Sequence, residues 1–115
     1  MTKKVEEMTI ERVVEKAKLK VLTGDTVHSF SGVYVGDLLS RCMSHVLDGN
    51  LWITIMNNVN VIAVASLTDC AAVILAEGVE MPEDVINTAL EKGITILSSE
   101  KTAYELCCII KDILE

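Results

Sequence analysis

Three polar clusters hold the side chains best suited to chemistry: Asn57-Asn58-Val59-Asn60, Glu77-Gly78, and Ser98-Ser99 with Thr102 close behind. The asparagine cluster would set amide donors beside free helix N–H groups, a combination able to hold an anion or a polar ligand. Asn is equally a turn and cap residue, and capping alone accounts for it here. Gly78 supplies a backbone shape that a larger residue resists. Glu77, Glu80 and Glu83 carry carboxylates, but their spacing matches no calcium loop and lacks a second ligand set, so they read as a solvated acidic rim. Ser98, Ser99 and Thr102 could offer hydroxyls to a phosphate. Neither a G-x-x-x-x-G-K-S/T loop nor a G-x-S-x-G elbow surrounds them, and serines before a helix are ordinary capping residues.

The remaining reactive side chains form no familiar pattern. His28 and His45 are the only imidazoles, and neither stands in an H-E-x-x-H or comparable ligand motif. His28 lies in an extended, exposed segment and His45 late in a helix, where it can face the dipole. Cys42, Cys70, Cys107 and Cys108 each sit in an apolar stretch without a C-x-x-C pair, as buried thiols of a reducing cytoplasm do. Trp52 is expected to pack at a sheet end. No catalytic residue, metal site or cofactor is expected.

The polar clusters recur at one place in a repeated unit. Leu51–Met56, Ala71–Leu75 and Ile94–Leu97 are apolar runs, each followed by a polar cluster and then a helical stretch. Such alternation predicts strands of a parallel layer whose turns open at one edge, where ligands of such sheets bind. The helical stretches run from about Asn60 to Asp69, from Pro82 to Lys92-Gly93, and from beyond Ser98-Ser99 through Ile113. The first of these is nearly all small and apolar, which predicts packing on two sides, by the sheet and by another helix or subunit. Upstream, Thr9–Lys20 reads as a helix, Lys20–Thr23 as a short strand, and Val27–Val35 as an extended segment. Asp37 is expected to cap a helix reaching Leu47.

Composition limits the function classes. Half of the residues are hydrophobic but only 3% are aromatic, so the core is built from aliphatic side chains and offers no stacking surface for single strands. A formal charge of −7 repels phosphate backbones, which argues against nucleic acid. Lys3, Lys4, Lys16, Lys18 and Lys20 interleave with Glu6, Glu7, Glu11 and Glu15, as on a solvated helix face. Met1–Glu7 holds no apolar secretory segment and no later run suits a membrane span, so a cytoplasmic chain with no membrane contact is expected. At 115 residues one domain over 1–115 is expected.

Gly32–Leu39, Asp48–Thr54, Val61–Leu67, Ala72–Val79 and Glu91–Ser99 together resemble stand-alone DRTGG-domain proteins of anaerobic bacteria. That family is similar to the middle domain of some phosphotransacetylases and the amino-terminal domain of HPr kinase/phosphorylase. The resemblance implies an α/β, layered αβα domain with a mostly parallel sheet, related to the HPr kinase N-terminal-domain-like fold. It also implies a non-catalytic regulatory or protein-interaction role, since catalysis in those settings belongs to another domain. The naming motif is altered here. Asn57-Asn58 stands in the region of the Asp-Arg pair, and Ala76-Glu77-Gly78 replaces Thr-Gly-Gly, which adds charge where relatives have a hydroxyl and a glycine.

These readings converge on a bacterial regulatory module that forms a homo-oligomer, a dimer by preference, and meets a protein partner or small effector at the turn edge. The alternative is a small-molecule protein, taking an anion or nucleotide among Asn57, Asn58, Asn60, Glu77, Gly78, Ser98, Ser99 and Thr102. An enzyme ranks last, because no nucleophile–base pair stands in sequence context.

Overall fold

The apolar runs become the inner strands of a five-stranded sheet. The computed structural model describes residues 8–115, so the reading of Met1–Glu7, including Lys3, Lys4, Glu6 and Glu7, lies outside the described residues. The elements are α1 (Ile10–Ala17), β1 (Lys20–Thr23), β2 (Gly32–Val35), α2 (Leu39–His45), β3 (Asn50–Thr54), α3 (Val59–Thr68), β4 (Ala72–Leu75), α4 (Glu83–Lys92), β5 (Ile96–Ser98) and α5 (Ala103–Leu114). Strand order is β1-β5-β4-β3-β2, with β2 to β5 parallel and β1 antiparallel at the β5 edge. The expected mostly parallel α/β layering is present. A fourth unit precedes the three read from sequence, because Gly32–Val35 pairs with Asn50–Ile53 as a full strand.

Alternation within the buried strands divides the core into two halves. Leu51, Ile53, Ile74 and Leu97 pack against Ile10, Val13, Leu106 and Ile110 of α1 and α5. Trp52, Val73, Leu75 and Ile96 point the other way, against Cys42 of α2, Val61 and Ile62 of α3, and Val85 and Ala89 of α4. Trp52 is fully buried in the middle of β3, not at a sheet end, and its Nε1 donates to Gly36 O at 3.0 Å. The inner side of α3 is covered, but Val59 and Leu67 remain 51% and 64% exposed, so no described residue covers its outer side. No helix among the described residues is long and apolar enough to cross a membrane.

Several helix ends differ from expectation for tertiary reasons. Helix α1 stops at Ala17, where Lys18 turns into the left-handed region (φ 58°) and its N–H reaches Val14 O. Lys18 and Lys20 therefore leave the helix face on which the charge pattern put them. Asp37 does not cap α2. Its Oδ1 accepts instead from Thr54 Oγ1 at 2.8 Å and Ile55 N at 3.0 Å, tying the ends of β2 and β3 together. Thr102, not Ser98 or Ser99, caps α5, through a reciprocal box with Glu105.

At the opposite, N-terminal edge of the parallel strands, His28 joins the β1–β2 connection to the start of β4. Its Nδ1 lies 2.7 Å from Asp25 Oδ1 and its Nε2 3.0 Å from Ala71 O. Both neighbours are acceptors, so the protonated ring donates to both. Burial opposes the charged form of His28, but the Ala71 carbonyl and then Asp25 outweigh it and raise its pKa; the hydrogen bond from His28 lowers that of Asp25. A raised His pKa gives stability that is present at low pH and lost as pH rises through the folded value. A lowered Asp pKa gives stability that is lost as pH falls through its own folded value. The clip is thus strongest between the two. Urea midpoints of the wild type and His28→Asn are expected to differ most at mildly acidic pH, where the ring is protonated and Asp25 ionised, and to converge at alkaline pH. A difference independent of pH would contradict the doubly donating ring.

Candidate functional site

The antiparallel strand β1 creates the site. It runs against β5 so that its first residue, Lys20, lies opposite Ser98, the last residue of β5. Parallel strands end their C-terminal edge in loops, whereas β1 begins there. It therefore brings Lys18 and Lys20 to the edge where the β4 and β5 turns open. A cleft of about 430 Å³ lies between them, on the α4 side of the sheet. One wall carries Lys18 and Lys20, and Ser98 and Ser99 stand beside it. Gly78, Val79 and Glu80 form the other wall together with Glu100. Leu22, Met81 and Ile86 supply apolar surface, and these three also belong to or pack against the α4-side core.

Backbone geometry holds the walls in place. Glu77 and Gly78 are consecutive left-handed residues (φ 60° and 73°), which folds the chain back after β4. Their amides then donate to the β5 turn, Glu77 N to Lys101 O and Gly78 N to Ser99 O, both at 2.9 Å. At Gly78 a side chain would run into the carboxylate of Glu100, so glycine here admits both the turn and that close approach. Asn57 Nδ2 donates to Glu80 O at 2.7 Å, bracing the loop from the β3 side. Ser99 Oγ accepts from Lys101 N at 3.0 Å, and Lys101 Nζ reaches Ala17 O at 3.1 Å, joining the start of α5 to the end of α1.

Of the residues singled out from sequence, Gly78, Ser98 and Ser99 line the cleft. Asn57 acts behind its wall, and Glu77 shapes the turn while its side chain remains exposed. Asn58 caps α3 by accepting from Asn60 N at 2.9 Å, so Asn58 and Asn60 belong to that helix end, as Thr102 belongs to the cap of α5. The three clusters share an edge but not one site. Sequence reasoning missed Lys18 and Lys20. A usable signal was present in Lys18-Leu19-Lys20, where an apolar residue between two lysines marks the end of the charged helix face, and Leu19 is indeed buried between the two exposed lysines.

Ammonium, hydroxyl and carboxylate side chains line the cleft. Neither histidine lines it, so the serine hydroxyls have no imidazole base there. Among the described residues no three His, Cys, Asp or Glu side chains cluster closely enough to hold a metal ion. The cysteines lie elsewhere and are free. Burial pushes the Cys70 thiol up to about 11 and also raises Cys42 and Cys107, which disfavours the reactive thiolate in each. Of the four thiols expected to be buried only Cys42 is; Cys70 and Cys107 are half-buried, and Cys108 is exposed on α5.

The DRTGG domain model matches residues 11–113, almost the full length. The chain belongs to the DRTGG-domain family. The DRTGG architecture also appears in the crystal structure of the CBS and DRTGG domains of the regulatory region of Clostridium perfringens pyrophosphatase, complexed with activator, diadenosine tetraphosphate. That structure superposes on 95% of this chain with a TM-score of 0.72 at 10% identity. This chain spans 48% of that one, and at such low identity the likeness establishes the fold alone. No curated protein sequence matches this DRTGG domain.

Proposed function

We propose that this DRTGG domain is a non-catalytic regulatory module that senses a small effector in the cleft between β1, β5 and the Gly78–Met81 loop. The observation that carries the reading is the hydrogen-bonded linkage of the cleft walls. Ser99 O holds Gly78 N, Lys101 O holds Glu77 N, Lys101 Nζ holds Ala17 O, and Asn57 holds Glu80 O. A ligand that draws the walls together acts at once on the end of α1, the start of α5 and the β3–α3 turn. Those are the parts a partner domain or subunit would read. The family's occurrence within the regulatory region of a pyrophosphatase complexed with an activator supports the same role. The reading places the chain in the cytoplasm as one domain.

A thermal-shift panel of nucleotides, acyl phosphates and sugars tests this, run on the wild type and on Ser98→Tyr, whose ring would fill the cleft. A true effector adds about 2.7 kcal/mol at about 100-fold above its Kd. At least one ligand is expected to raise the wild-type Tm and to leave Ser98→Tyr unmoved. A panel with no effect, or equal shifts in both proteins, would overturn the effector reading.

A second reading concerns assembly, and the outer side of α2 and α3 favours it. Leu38, Met43, Leu47, Val59 and Leu67 are all more than half exposed there, and α3 carries no charged residue. Such an apolar face suits a symmetric dimer. Sedimentation showing only monomer at high concentration would remove this reading without touching the first.

A further inference from the structure

We infer that the ligand of the cleft is an amino-bearing nucleoside monophosphate, a deeper claim that rests on the effector reading above. The charge distribution inside the cleft points to it. The chain as a whole carries −7, so a general attraction for anions is absent. Yet Lys18 and Lys20 stand two residues apart along one wall, and neither forms an ion pair with any described residue. Ser98, directly opposite Lys20 in the strand pair, adds a hydroxyl between these cations and the β4 loop. Two ammonium groups and a hydroxyl on the β1–β5 side of one cleft suit a dianionic head better than a single carboxylate.

The other wall has the opposite character. Glu80 and Glu100 present carboxylates on the loop wall, where Glu100 lies against Gly78. A wholly anionic ligand, such as a polyphosphate stretched along the cleft, would meet them unfavourably. A ligand with N–H donors at its far end would be held by them. Leu22, Met81 and Ile86 add apolar lining suited to a flat ring, with the methionine adapting to its face. The cleft, at about 430 Å³, is within the usual range for sites of small ligands. A phosphate head suits the cations, a flat ring the apolar lining, and an exocyclic amine the carboxylates.

Calorimetry of the full chain with adenosine monophosphate, adenosine and inorganic phosphate provides the test, alongside the doubly substituted variant Lys18→Gln, Lys20→Gln. Both lysines are exposed, so the variant is expected to keep the wild-type Tm without ligand. Adenosine monophosphate is expected to bind the wild type most tightly, and to lose about tenfold or more in affinity in the variant. Adenosine is expected to bind weakly and equally to both proteins. Inosine monophosphate, which lacks the exocyclic amine, is expected to bind less well than adenosine monophosphate. Affinity unchanged by the lysine substitutions, or adenosine binding as tightly as its monophosphate, would overturn the inference. If a ligand without phosphate raises the Tm and Ser98→Tyr abolishes that shift, the effector reading stands and this inference alone falls.

Discussion

Trp52→Ala is expected to lower stability by about 3–5 kcal/mol, a large part of the roughly 5–15 kcal/mol that holds a typical domain together. The indole is fully buried in β3, between β2 and β4, and packs with Cys42, Val61 and Ile62 on the α2–α4 side. An alanine leaves a void that central strands cannot close without moving their neighbours. It also removes the Nε1 bond to Gly36 O, one of the ties that fix the end of β2. Trp52→Phe separates the two contributions, keeping most of the packing and losing the bond, for about 1 kcal/mol from that term. Urea titrations followed by far-UV circular dichroism read both, since the chain has no other Trp to report by fluorescence. A loss below about 1 kcal/mol for Trp52→Ala would contradict a packed α4-side core.

Gly24→Ala is expected to be nearly as damaging, and to disturb the cleft from a distance. Gly24 ends β1 at φ 83°, and a Cβ there would stand 2.6 Å from Thr95 Cα as well as against its hydroxyl. Backbone in the way cannot swing aside as a side-chain tip can. Left-handed strain of about 1–2 kcal/mol then adds to about 1–3 kcal/mol of overpacking. The strain falls on the contacts that set the register of β1. Thr23 Oγ1 donates to Ile94 O and accepts from Ile96 N, while Thr95 Oγ1 donates to Asp25 O. A shift in that register moves Lys20 away from Ser98, so ligand affinity is expected to fall along with Tm. Gly93→Ala is the control. Its φ is 68°, but nothing lies within 4 Å of its Cβ position, so the cost is confined to about 1–2 kcal/mol of strain and the cleft is unaffected. Equal losses of stability and binding in the two variants would contradict the account.

The strands were legible because burial on both faces writes them as unbroken apolar runs. Leu51–Thr54 and Ala72–Leu75 follow that pattern, and every residue of β3 and β4 is buried. The turns after them were legible for the same reason. What could not be read locally is which groups meet across the fold. Lys20 and Ser98 are distant in sequence, and only the antiparallel addition of β1 at the β5 edge sets them side by side. Asp37 looks like a cap by local rules, but the Thr54 hydroxyl and the Ile55 amide compete for its carboxylate and win. The cap of α5 is different, since Thr102 followed by Glu105 is a complete capping-box signature that singles out Thr102 from the serines before it.

Amide-resolved NMR during titration with adenosine monophosphate tests the central claim most directly, because it reports the place of binding as well as its strength. The account predicts the largest shifts at Lys18, Lys20, Gly78, Ser98 and Ser99, with smaller ones at Ala17 and Lys101 through their hydrogen bond. Saturation without movement of those signals, or with movement confined to the outer side of α2 and α3, would contradict a regulatory cleft at the β1–β5 edge.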